Sequence, residues 1–127
     1  MDDKQINSYR DLKVWQDAIA LTEDSYRLCS KLPKDETYGL SSQIRRAATS
    51  IAANIAEGHG RESTGAFVQH LRIAQGSLKE LETHLIVCVR VGLLSDADTA
   101  SAFQQCESIG KMARTLIRSL QNRIAGS

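Results

Sequence analysis

The side chains in this sequence able to do chemistry are three histidines, three cysteines and a scatter of carboxylates and guanidinium groups. Glu80 and His84 stand four residues apart. On a helix that spacing brings a carboxylate and an imidazole to one face, as a metal pair would need. A di-metal bundle requires Glu-x-x-His pairs and further inward glutamates, and no Glu-x-x-His occurs in the chain. No metal site is therefore expected. Gly58-His59-Gly60 has the look of a phosphate loop, but it follows a helical pattern instead of a strand and lacks the third glycine and the lysine. It reads as a helix stop, with glycine taking the left-handed conformation. His59, His70 and His84 have no cysteine or serine partner at a telling spacing. Cys29, Cys88 and Cys106 form no CxxC pair and read as reduced thiols packed like small apolar residues. No catalytic residue, cofactor or small-molecule substrate is assigned, and the protein is expected not to be an enzyme.

The elements that must position these groups are helical. The chain has 127 residues, the length of one domain, with 42% hydrophobic and 24% charged residues. A single proline and 5% aromatics suit helices better than sheets. The polar start, MDDKQINSYRD, has no apolar signal core, and the longest uncharged central run, 47–56, is far short of the roughly 20 residues that span a bilayer. The protein is expected in the cytoplasm, without a membrane partner. Residues 1–8 read as a flexible arm and residues 9–124 as the folded domain.

A first helix is predicted from Asp11 or Leu12, capped by Ser8 or Asp11, with Leu12, Trp15, Ile19, Thr22, Tyr26 and Cys29 as its seam. Val14, Ala18, Leu21, Leu28 and Leu32 widen that seam, and Pro33 ends the helix. Asp35 and Glu36 then sit where the next helix's N-terminal dipole favours acids. A third helix, capped by Ser63 and closed by Gly92, carries Phe67, Leu71, Ala74, Leu78, Leu81, Leu85 and Cys88. A fourth, capped by Ser95 or Asp96, carries Phe103, Cys106, Gly110, Ala113, Ile117, Leu120 and Ile124. Four such helices joined by short loops imply an all-α, antiparallel up-and-down four-helix bundle.

The second helix, within LSSQIRRAATSIAANIAEGHGR at 40–61, divides into three faces at about 100° per residue. Leu40, Ile44, Ala48, Ile51 and Ile55 are apolar. Gln43, Arg46, Ser50, Asn54, Glu57 and Arg61 make a polar stripe. Thr49, Ala52, Ala53 and Ala56 make a face of small residues that another helix could approach closely. Surface for more than one neighbour points to self-association, and the interface candidates are Gln43, Arg46, Ser50, Ala53, Asn54 and Glu57. The stripe has two readings. It is a solvated face with pairs such as Glu57 with Arg61, or an intersubunit stripe in which Arg46 of one copy meets Glu57 of another.

The net charge of +1 gives no bulk attraction to nucleic acid, so any such binding must come from a local patch. Lys111, Arg114 and Arg118 fall at i, i+3 and i+7 on the fourth helix, and Arg45 and Arg61 are further basic candidates. The patch is either a solvated face near a helix end or a phosphate-contacting strip that a ring of copies would repeat. No aromatic platform accompanies it in the sequence, so base-specific stacking on single strands is not expected.

The runs YRDLKVWQDA, LPKDETYGLSSQIRRAATSIAANIAEGHGR and IAQGSLKELETHL resemble the four-helix-bundle family encoded in intervening sequences of bacterial 23S rRNA genes. The resemblance covers roughly residues 9–120, and the matching positions include Gln43, Arg45, Arg46, Ser50, Asn54, Glu57, Gly58, Arg61, Gly76, Ser77 and Glu80. It implies a four-helix bundle that assembles as a homopentameric ring, with no catalytic residues. The family is also similar in fold to accessory variability proteins of diversity-generating retroelements, which bind nucleic acid and a reverse transcriptase. Two functions follow: a self-assembling scaffold or adaptor, or an accessory factor that binds RNA or DNA through basic patches on the oligomer.

Overall fold

A computed structural model describes residues 6–126. Four helices account for the fold: α1 (Lys13–Cys29), α2 (Leu40–His59), α3 (Thr64–Arg90) and α4 (Asp96–Ala125). Consecutive helices pack side by side, and α4 closes the square against α1. Short connections make neighbours antiparallel, so this is an up-and-down four-helix bundle, as its periodicity predicts. No strand occurs among the described residues, and none of the helices is long and apolar enough to cross a membrane.

Most helix ends follow their sequence signals. Ser63 Oγ accepts from the Ala66 amide at the start of α3, and Ser95 forms a reciprocal capping box with Asp98 at the start of α4. Gly92, at φ 84°, ends α3. The Leu93 amide returns to the Cys88 carbonyl and the Gly92 amide to Val89, the double closure of a left-handed glycine cap. Glu36 Oε1 accepts from the Leu40 amide, so the acid expected near the second helix does satisfy its N-terminus.

Three local expectations need correction. Ser8 does not cap α1. It forms a capping box with Asp11 on a short 3-10 helix, Tyr9–Asp11, and Leu12 starts α1 without a side-chain cap. The Asn7 and Ser8 amides both donate to Asp11 Oδ2 of that 3-10 helix; residues 1–5 of the expected arm lie outside the described residues. Helix α1 ends at Cys29 rather than at Pro33, because i→i+3 bonds from Lys31 to Leu28 and from Leu32 to Cys29 tighten the chain first. Gly58-His59-Gly60 is not a left-handed stop either. Gly58 and His59 remain helical and Gly60 has φ −78°.

The core centres on Leu21, Ile44, Ile51, Ile55, Leu71, Leu81, Leu85 and Ile109, all essentially inaccessible. The predicted stripes of α2 and α3 are its walls. On α1 the buried row is Val14, Ala18, Leu21, Ser25 and Leu28, while Leu12, Trp15 and Ile19 sit at its edge and Tyr26 is exposed. The expected flank therefore forms most of the buried face, while of the expected seam Cys29 is buried. Small Ala18 and Ser25 let α1 come close, and Ser25 Oγ donates to the Leu21 carbonyl, so its burial leaves no polar group unpaired. On α4 the buried row is Thr99, Ala102, Cys106, Ile109, Ala113, Ile117 and Leu120. Phe103 and Gly110 turn partly outward, and Ile124 is exposed at the end of the longest helix. The three cysteines are free and buried, and burial pushes the Cys106 thiol up to about 12.

Candidate functional site

The polar stripe of α2 divides in two. Ser50 and Asn54 turn into the seam with α3 and are held there by hydrogen bonds within the chain. Ser50 Oγ lies 2.9 Å from Ser77 Oγ. Asn54 Nδ2 donates to the Ser50 carbonyl (2.9 Å) and to Ser50 Oγ (3.1 Å). With the Asn54 amide nitrogen so engaged, its Oδ1 faces α3 and accepts from His70 Nδ1 at 3.1 Å. Gly58 makes this proximity tolerable. A Cβ there would stand 2.6 Å from His70 Cβ and 3.0 Å from Phe67 Cδ1. The glycine is a contact surface between two helices, which explains why it lies within α2 and not beyond it.

The other interface candidates, Gln43, Arg46, Ala53 and Glu57, are exposed. Glu57 pairs with Arg61 at 2.7 Å, the intrahelical pair expected from their spacing. The small-residue face is partly covered by α1: Ala52 is buried and Ala56 half-buried, and Thr22 Oγ1 donates to the neighbouring Ala48 carbonyl. Ala53 and Thr49 remain exposed. On the flank of α3 next to this seam, Ile73, Val87 and Val91 share one stripe at 100° per residue and are 45%, 38% and 62% exposed.

His84 continues the row of His70 and Ser77 at seven-residue steps. Its Nε2 is buried, has no hydrogen-bond partner among the described residues, and stands 3.8 Å from Glu80 Oε2. No cluster of three or more potential metal ligands occurs among the described residues.

The basic candidates do not act as one group. Arg45 lies over the Tyr26 ring at 5.9 Å and Arg61 is paired with Glu57. Lys111 is 3.9 Å from Glu107. Arg114 and Arg118 are exposed on α4, and α3 adds Arg72 beside them, together with Gln75 and Gln121 around a depression of about 280 Å³. None of these three arginines belongs to an ion pair among the described residues. Sequence reasoning missed Arg72 because it belongs to another helix. The signal was its place on the α4-facing side of the α3 wheel, beside Gln75.

The depression opens into a groove of about 700 Å³ between α3 and α4, with Leu78, Phe103 and Cys106 in its lining. Gly76 and Gly110 flank it in mid-helix, where glycine costs about 1 kcal/mol relative to alanine. Neither has a positive φ, and a Cβ at Gly76 would meet nothing within 4 Å. Backbone geometry and internal packing leave both glycines unexplained.

A model of the 23S rRNA-intervening sequence protein matches residues 10–115, most of the chain. The chain belongs to that family. A crystal structure of a protein of unknown function from the S23 ribosomal protein family of Bacteroides thetaiotaomicron is 26% identical, over 82% of this chain and 97% of that one, with a TM-score of 0.76. No curated protein matches the chain. For this member of the intervening-sequence family, the bundle and the family are thus established together, and the surfaces described above are where a function must reside.

Proposed function

We propose that this intervening-sequence protein is a non-enzymatic, self-assembling bundle whose ring of copies serves as a scaffold or adaptor. The observation that carries the reading is the exposed row Ile73, Val87 and Val91 on α3, beside the exposed Ala53, Arg46 and Glu57 of α2. Outward positions of a solvated helix are polar as a rule, and three exposed apolar side chains on one stripe, interrupted by Glu80 and His84, favour a partner. Arg46 and Glu57 supply opposite charges on the same face, so a rotated copy could pair them. The imidazole of His70 is committed to structure by its bond to Asn54, which supports a role without catalysis. Buried free thiols suit a reducing compartment, the cytoplasm. Light scattering at micromolar concentration should give one large oligomer, a pentamer by family resemblance, and Ala53→Arg should reduce it to folded monomers. A monomeric wild-type protein would overturn the proposal.

A second reading, an accessory factor that binds RNA or DNA, is favoured by one observation: Arg72, Arg114 and Arg118 gather from two helices without a carboxylate partner. Binding of labelled RNA should then fall steeply between low and moderate salt, since each neutralised phosphate adds to the salt dependence. Absence of binding at low salt removes this reading.

A further inference from the structure

We infer that the groove between α3 and α4 is a site for single-stranded nucleic acid, with the phosphates on Arg72, Arg114 and Arg118 and an unstacked base in the gap between Gly76 and Gly110. The inference rests on the second reading above and adds to it a strand type, a base pocket and a direction along the helices.

Three observations converge. First, the arginine depression and the large groove are continuous, sharing Gln75 and Arg114. The combined lining holds five cations against two carboxylates, and those two, Glu82 and Glu107, stand beside Lys79 and Lys111 at 3.2 and 3.9 Å. The uncompensated charge therefore lies at the Arg72–Arg114–Arg118 end. Second, the other end presents an aromatic ring between the Lys79–Glu82 and Lys111–Glu107 pairs. Phe103, which the helical spacing assigns to the core, is only half-buried and lines the groove with Leu78 and Cys106. Third, the two glycines leave space between these ends: a Cβ at Gly76 would meet nothing within 4 Å, and one at Gly110 would meet only the Arg114 guanidinium. The Arg114 guanidinium folds back along α4 to 3.8 Å from where a Gly110 side chain would begin. It is thus carried toward Phe103, seven residues or about 10 Å further along the axis.

A strip of guanidinium groups leading to an aromatic face suits a chain that alternates phosphates with flat rings. The phosphates supply the attraction and any base can stack, so little sequence preference is expected. A duplex keeps its bases stacked and paired, and can offer the groove only its backbone. Discrimination between single and double strands is therefore the property that separates a base pocket from a merely basic surface.

The test is fluorescence anisotropy of the full chain with a labelled single-stranded RNA and the duplex of the same sequence. Gly76→Leu fills the gap at a position where a side chain meets nothing, so this variant should fold at least as well as the wild type. The wild type is expected to bind the single strand about ten- to a hundredfold more tightly than the duplex, the range that one stacked base supplies. Gly76→Leu should erase that difference while leaving duplex binding in place. Arg72→Gln with Arg118→Gln should weaken both and lower the salt slope for the single strand by about 0.7 for each phosphate no longer neutralised. Equal affinity for the two forms, or a Gly76→Leu protein that keeps the preference, overturns the base pocket alone. RNA binding indifferent to the double arginine change overturns the arginine reading beneath it, and so does no binding at all.

Discussion

Gly58→Ala is the sharpest test of how α2 and α3 meet. At most helical positions this change stabilises, by up to about 1 kcal/mol, because alanine is the better helix former. At Gly58 the added methyl would sit 2.6 Å from His70 Cβ, 3.0 Å from Phe67 Cδ1 and 3.3 Å from His70 Cγ. A Cβ cannot swing aside as the end of a long side chain can, so the helices must separate or slide. Overpacking of this kind costs about 1–3 kcal/mol. Separation would also stretch the 3.1 Å bond from His70 to Asn54, a term of about 1 kcal/mol. The clash exceeds the propensity gain, and the net expectation is a loss of about 1–3 kcal/mol, or roughly 4–11 °C in Tm for a chain of this size. Gly76→Ala is the control, since its methyl meets no atom within 4 Å and should raise stability by up to about 1 kcal/mol. Urea unfolding of the two variants beside the wild type should therefore show shifts of opposite sign. A Gly58→Ala protein as stable as the wild type would refute the close approach of the two helices.

Two further expectations follow from single groups. Asn54→Ala removes the link between Ser50 and His70 and leaves both partly buried, so urea unfolding should show a loss of about 1–3 kcal/mol with an unchanged denaturant slope; no loss would mean that water replaces the network. The Ser95 amide, the Lys31 ammonium and the Ser95 hydroxyl hold the Asp98 carboxyl down at about 2, against an ordinary value near 3.8. Because the folded value is depressed, its contribution is present above pH 3.8 and is lost as pH falls toward 2. Asp98→Asn should accordingly lower Tm at neutral pH and bring the two melting curves together near pH 2; a constant gap across that range contradicts the assignment.

How far the sequence could be read differs between helices. On α3 the row from Leu71 to Cys88 is large, apolar and unbroken, so spacing alone identifies the buried face. On α1 two apolar rows lie side by side, and periodicity cannot rank them. Trp15 and Tyr26 look like core by size, yet Trp15 is kept at the edge with its ring 5.1 Å from that of Tyr9. On α4, Phe103 and Gly110 fit the heptad as well as Ala102 and Ile109 do, and the choice depends on how α4 turns against α3. The polar stripe of α2 shows the same limit. Its residues were visible, but whether Ser50 and Asn54 bond within the chain or across copies depends on what α3 presents at that level.

The amino-acid sequence by itself determined the number of helices, most of their caps and the bundle topology, because these follow from local backbone preferences and from a periodicity of 3.6 residues. Tertiary structure alone decided which of two neighbouring stripes faces inward, that Gly58 is a contact and not a stop, and that Arg72 joins Arg114 and Arg118 at a groove ending in Phe103. Each of those facts is a relation between helices. Such relations depend on the rotation of each helix about its axis, and helical spacing leaves that rotation free until another helix packs against it.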